Sequence, residues 1–179
     1  EITPVPNRPF TKHQHKTVSA DAIPLRPCYP LIDRLGDDRV IAIDNGQPIT
    51  SGAFFNEVIS LAGNLPDRPY MVNLCENRYR FLVAFAAALL KGQINLLPPS
   101  RAPRVLQQME EKYPQLYCLV EGAESPEGLD MIARYDCNAQ QASPQDTRIL
   151  EVPGDQIAAI AFTSGSTGQP QAHIKTWRT

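Results

Sequence analysis

Apolar positions along this chain fall into short blocks whose spacing alternates between two periods. Residues 39–44 (RVIAID) form a β-branched, apolar run that ends at the turn pair Asn45-Gly46. That combination predicts a strand entering a hairpin, with residues 47–49 returning. Thr50 or Ser51 can then cap a helix in which Phe54, Phe55, Val58, Leu61 and Ala62 share one face, and Gly63-Asn64 stops it. Residues 69–74 (PYMVNL) read as a second, buried strand. Asn77 opens a helix through Leu90, with Lys91 in its last turn and Gly92 as its stop. The body of this helix, FLVAFAAALL, is apolar almost all round, so it belongs between other elements, and its alanines permit close backbone approach.

The same logic predicts a strand at 93–97 closed by Pro98-Pro99, and a helix from Ser100 whose apolar side carries Val105, Leu106, Met109 and Tyr113. Another strand is expected at 117–121 (YCLVE), a short helix around Leu129 to Arg134, and a continuous apolar strand at 156–162 (QIAAIAF). Strands alternating with helices of about a dozen residues imply an α/β fold with a largely parallel sheet flanked by helices. Residues 1–20, with Pro4, Pro6 and Pro9, read as an extended lead-in, and residues 21–179 as one incomplete domain. His13 and His15 in the lead-in are metal ligands in principle, but no carboxylate or thiol cluster stands beside them, and a polar tail is the simpler reading.

Composition narrows the function classes. The chain has 179 residues, 42% of them apolar and 20% charged, enough for one domain with its own core. A net charge of −2 provides no broad field for nucleic acid, so phosphate recognition has to come from a local site. The longest apolar run, residues 81–90, has about half the length a bilayer span requires. Cys28, Cys75, Cys118 and Cys137 form no C-x-x-C pair, which argues for reduced thiols in a cytoplasmic setting. Cys75 as a nucleophile has no histidine near it in sequence, and a buried thiol at a strand end is the better reading. Glu76, Arg78 and Arg80 either meet a substrate or form the polar start of a helix.

The densest chemistry follows the last apolar strand. Thr163, Ser164, Gly165, Ser166, Thr167 and Gly168 place four hydroxyls and two glycines within six residues, continuing through Gln169-Pro170-Gln171. Glycines let the backbone approach a ligand, and consecutive N–H and O–H donors can converge on anionic oxygens. Each hydrogen bond to a charged oxygen contributes about 1.5–3 kcal/mol, so three or four hold a polyphosphate without much positive charge. The rival motifs fail. Gln169-Pro170 stands where a Walker loop needs Lys-Ser/Thr, and the spacing is wrong for a nucleophile elbow or a kinase glycine loop.

The string 163–170, TSGSTGQP, resembles the phosphate-loop signature of the ANL superfamily: acyl- and aryl-CoA synthetases, peptide-synthetase adenylation domains and luciferases. The order of elements from about residue 25 agrees with such enzymes. The run 73–81 (NLCENRYRF) is most similar to AMP-ligases of aryl polyene or fatty-acid-type pathways. The resemblance implies an N-terminal portion of an enzyme that uses ATP and Mg2+ to activate a carboxylic acid as acyl-AMP. The acyl group then passes to the thiol of coenzyme A or an acyl carrier protein. It also implies that the parts of the site lying further along in such enzymes are missing here, so that this portion alone is inactive. A non-catalytic truncated homologue, or a module that docks with a separate remainder, is the competing class.

The sequence departs from the pattern at one place. The lysine and glycine that usually follow the loop's proline are replaced by Gln171 and Ala172. Lys175 is the nearest positive side chain, four residues and about 13 Å further along an extended chain. It either folds back to serve the loop or is an exposed strand residue.

Overall fold

The computed structural model describes residues 26–32, 38–122, 129, 131–136, 150–163 and 171–178. The polar lead-in 1–20 and the loop residues 164–170 lie outside the described residues. The first hairpin is dictated by its turn. Strands β2 (Val40–Asp44) and β3 (Gln47–Thr50) pair antiparallel about Asn45-Gly46, whose φ angles of 48° and 78° are those a two-residue turn with primed geometry requires. Thr50 then caps α1 (Ser51–Asn64), its Oγ1 accepting from the Ala53 N–H at 3.2 Å, while Ser51 is fully buried.

Strand β4 (Tyr70–Asn73) leads to α2 (Arg78–Leu90), which starts where Asn77 Oδ1 accepts from the Arg80 N–H at 2.9 Å. Strand β5 (Ile94–Leu97) follows, then α3 (Pro103–Lys112) and β6 (Leu116–Val120). The third helix begins three residues later than Ser100. Ala102, held at ψ 136° ahead of Pro103, cannot enter the helix, and Pro103 takes the first helical position, where its missing N–H costs nothing. The expected helix at 129–134 is not formed. Ile132–Arg134 is instead strand β7, parallel to β6 with Cys118 opposite Ile132, because the open edge of β6 offers hydrogen-bond partners that an isolated helical turn lacks.

The remaining strands are β8 (Glu151–Pro153), which pairs antiparallel with β1 (Cys28–Pro30), then β9 (Ile157–Thr163) and β10 (Gln171–Thr176). The central sheet runs β10-β9-β5-β4-β6-β7, parallel throughout except for β10. Alternation along the strands divides the core. Met71, Tyr117 and Leu119 face Phe54, Val58 and Leu61 of α1 and the Ala84–Leu89 stretch of α2. Val72, Leu74, Leu96, Cys118 and Val120 face Leu106 and Met109 of α3. The apolar-all-round α2 is accordingly wedged between the sheet and α1.

Parallel pairing has one consequence for function. The carboxyl ends of β4, β5, β6 and β9, at Asn73, Leu97, Val120 and Thr163, all emerge on the same edge of the sheet. Ligands of open α/β sheets collect at that edge.

Candidate functional site

Residues 164–170 leave the carboxyl end of β9 and return as β10. Their own placement is outside the described residues, but both stems are described. Thr163 is paired with Gln171, Ala161 with His173 and Ala159 with Lys175, so β9 and β10 are an antiparallel pair on either side of residues 164–170. Of the predicted site residues, Thr163, Gln171 and Lys175 are therefore placed by the structure, while Ser164, Gly165, Ser166, Thr167 and Gly168 are not described.

The stem is held firmly. Asn95, fully buried on β5, donates through Nδ2 to the Ala158 carbonyl at 3.2 Å and to Phe85 O of α2 at 3.3 Å. Gln156 Nε2 donates to Leu89 O at 2.8 Å just before β9 begins. On the α3 side, the Phe162 ring meets Tyr113 edge-on with centroids 5.9 Å apart, beside an apolar cleft of about 200 Å³ that Val105 and Met109 also line. Anchoring a strand on both faces gives the loop a rigid base, which a site needs if its donors are to be pre-positioned.

Period-two alternation sends Thr163, Gln171, His173 and Lys175 to the opposite face from Phe162. All four are exposed. The Thr163 hydroxyl lies 3.2 Å from His173 Nε2, a cross-strand contact at the base of the loop. Lys175 is an exposed residue of β10, four pairing steps from Gln171, and β10 stays extended between them. His173 was not singled out from sequence. Its signal, an imidazole two residues past Gln171 on the same strand face, becomes readable only once the strand register is known.

The other polar group at this edge is different in kind. Glu121, at the end of β6, accepts through Oε1 from the backbone N–H groups of Glu76 and, at 2.8 Å, Asn77, and its Oε2 pairs with Arg80 at 2.8 Å. Burial pushes its carboxyl up, but the Asn77 N–H, the Arg80 guanidinium and the Glu76 N–H together outweigh that and hold it below the usual carboxylate range. Arg80 also lies over the Tyr135 ring, 5.8 Å from its centroid. The donors that Glu76 and Arg80 bring to the start of α2 are thus spent on Glu121, and Asn77 Nδ2 donates to Asp44 at 2.8 Å. Cys75 is buried, and burial pushes its thiol up to about 12, so it carries no thiolate near neutral pH. Among the described residues no group of three or more metal-ligating side chains is present, and no helix is long and apolar enough to cross a membrane.

Comparison with solved structures places this geometry. The chain superimposes on the N-terminal subdomain of Klebsiella oxytoca NpsA with a TM-score of 0.62 and 20% identity, over 79% of this chain and 38% of that one. The fold is that of the NpsA N-terminal subdomain. A second solved form of NpsA carries 3-hydroxybenzoyl-AMSN, and there the TM-score is 0.61 at 19% identity, with 79% and 38% covered. o-Succinylbenzoate CoA synthetase (MenE) of Bacillus subtilis, solved with ATP and a magnesium ion, matches with a TM-score of 0.59 and 18% identity, over 78% of this chain and 40% of that one. The expected α/β fold with a largely parallel sheet is therefore observed, shared with these neighbours, and the chain spans about two fifths of their length. No protein-family model matches the chain. No curated protein matches it either.

Proposed function

We propose that this chain is the N-terminal portion of an ATP-dependent ligase that activates an acyl or aryl carboxylic acid. The carboxylate attacks the α-phosphorus of ATP, forming acyl-AMP and breaking the bond to the leaving pyrophosphate. A thiol, on coenzyme A or a carrier protein, then displaces AMP. The observation that carries this reading is that the hydroxyl- and glycine-rich sequence 163–168 directly follows β9, whose carboxyl end at Thr163 lies at the carboxyl edge of the parallel sheet, in a fold shared with the NpsA N-terminal subdomain.

The stems suit an anionic ligand. Facing residues 159, 161, 163, 171, 173 and 175 include hydroxyl, amide, imidazole and ammonium groups and no carboxylate. Thr163 through Gly168 and Gln171 would hold the β- and γ-phosphates of ATP, with Lys175 on the outer part of the same face. Magnesium, when bound with ATP, shares the charge that develops on pyrophosphate. The protein's own share is positional and electrostatic: fixed donors aimed at oxygens that gain charge as the bond breaks.

MenE solved with ATP and a magnesium ion, and NpsA solved with 3-hydroxybenzoyl-AMSN, support the nucleotide and the carboxylate class. Membership of an aryl polyene or fatty-acid-type pathway, a cytoplasmic setting and a lead-in at 1–20 ahead of the domain at 21–179 belong to the same proposal. The 179-residue chain by itself is expected to bind Mg-ATP only in the millimolar range and to form no acyl-adenylate, since it spans two fifths of its neighbours' length. Calorimetry with Mg-ATP and a pyrophosphate-exchange assay over a panel of aryl and fatty acids test this. Exchange catalysed by the chain alone would overturn the inactivity, and absence of any Mg-ATP binding would overturn the loop's role. The intact mass of the native protein separates a long ligase from a short module that docks with a separate remainder.

A further inference from the structure

The body of α2 is apolar all round, and two of its faces are taken by the sheet and by α1. A further stripe, Leu82, Phe85, Ala86 and Leu89 at i, i+3, i+4 and i+7, lines an apolar cavity of about 350 Å³. Leu31, Ile41 and Trp177 line it as well, and Leu82 is 44% exposed. Trp177 is shared with a second cavity of about 410 Å³, lined by Tyr29, Pro30 and Arg178. Two cavities that meet at one side chain make an elongated groove, apolar along one half and cationic at the other end. It lies toward the amino end of β9, because the Trp177 N–H donates to Gln156 O at 2.9 Å, just ahead of that strand.

Backbone contacts fix the cationic end. The Arg178 N–H donates to Gly154 O at 3.2 Å, and the Arg178 guanidinium lies over the Tyr29 ring, 5.6 Å from its centroid. Residue 154 has to be glycine for this, since a Cβ there would stand 2.5 Å from the Tyr29 ring. The Leu31 N–H donates to Leu150 O at 2.7 Å and holds the segment that carries Tyr29 and Pro30. Asp155, the carboxylate next to Gly154, pairs with Arg26 at 3.6 Å. Among the described residues no carboxylate lines either cavity.

We propose that this groove binds an amphiphilic carboxylate, a fatty acid whose alkyl chain lies along the α2 stripe past Trp177 and whose carboxylate meets the Arg178 guanidinium. The lining offers what such a molecule needs in the right order. Apolar side chains come first, and then a planar cation that a carboxylate can engage through two N–H donors. Charge at one end only, with an uncharged remainder, complements a molecule that has a single charged end. Thr163 lies at the other end of β9, so the groove neither needs nor opposes a phosphate site there.

Trp177 is the chain's one tryptophan, so its fluorescence reports on the groove directly. Octanoate, decanoate and dodecanoate are titrated into the 179-residue chain at pH 8, each below its micelle concentration. Trp177 emission should move to shorter wavelength, with affinity rising about tenfold for each two added CH2 groups. Arg178→Gln should weaken dodecanoate binding about tenfold and remove its preference over dodecyltrimethylammonium. Leu82→Gln, at an exposed position, should weaken dodecanoate at least about threefold and leave the urea midpoint unchanged. Absence of binding, affinity independent of chain length, or equal binding of dodecyltrimethylammonium by wild type overturns the proposal. So does emission that follows protein concentration instead of added carboxylate, which makes a second copy of the chain the occupant. Failure to bind Mg-ATP leaves the groove standing, and failure to bind dodecanoate leaves the phosphate site standing.

Discussion

Two ends of the same sheet edge collect hydrogen-bond donors, and the structure treats them in opposite ways. At the β4–β6 end, where the chain connections diverge, the N–H groups of Glu76 and Asn77 and the Arg80 guanidinium converge on one point, and Glu121 fills it. At the β9–β10 end, Thr163, Gln171, His173 and Lys175 stand exposed on a rigid hairpin with no carboxylate among them. A convergence of donors is thus not sufficient to mark a ligand site. What separates the two is whether the chain supplies its own anion. The first end is closed by its own carboxylate, and the second is left exposed, as the proposed phosphate site requires.

The contrast can be broken most directly at Glu121. Glu121→Ala removes three charge-assisted hydrogen bonds from a largely buried carboxylate and should cost about 2–3 kcal/mol of unfolding free energy in urea titrations. Loss of less than about 0.5 kcal/mol would mean the first end is not a structural clamp. Acidity probes the same contact. Glu121 has a folded-state carboxyl held below its ordinary value, so its contribution is complete above the unfolded pKa, about 4.3, and is lost as pH falls through the lower folded value. Wild type should therefore lose more stability than Glu121→Gln between pH 5 and pH 3, measured by denaturant midpoints.

At the open end the effects should shift from stability to binding. Thr163→Val should weaken tripolyphosphate or Mg-ATP binding by roughly five- to tenfold while leaving stability within about 0.5 kcal/mol. A reversed pattern would make that hairpin structural. Arg80→Ala should cost about 1 kcal/mol or less, because Arg80 is half exposed, its pair is screened, and Glu121 keeps its two backbone donors. It should leave anion binding unchanged. Lys175→Gln should be the mildest change, within about twofold in binding and about 0.5 kcal/mol in stability.

Much of this was legible from local chemistry. Asn45-Gly46 demanded φ values that turn the chain back on itself, Thr50 and Asn77 offered side-chain oxygens at helix starts, and Gly92 took the positive φ that ends α2. Misreadings arose where a neighbour in space overruled a local pattern. Residues 132–134 carry no local signal for pairing with β6, and Pro103 moved a helix start that Ser100 could otherwise have set. The pairing of β1 with β8 joins segments more than a hundred residues apart, for which no periodicity speaks.

The sequence by itself determined the α/β alternation and the parallel sheet and singled out residues 163–168 as the candidate loop, because period, turn residues and hydroxyl–glycine spacing are written locally. Only the tertiary structure decided which donors remain available. Glu121 reaches the start of α2 across about 45 residues of chain, and His173 reaches Thr163 through a strand register. Both contacts depend on pairing between strands, and pairing follows from how the whole sheet buries its two faces, which no local stretch of sequence specifies.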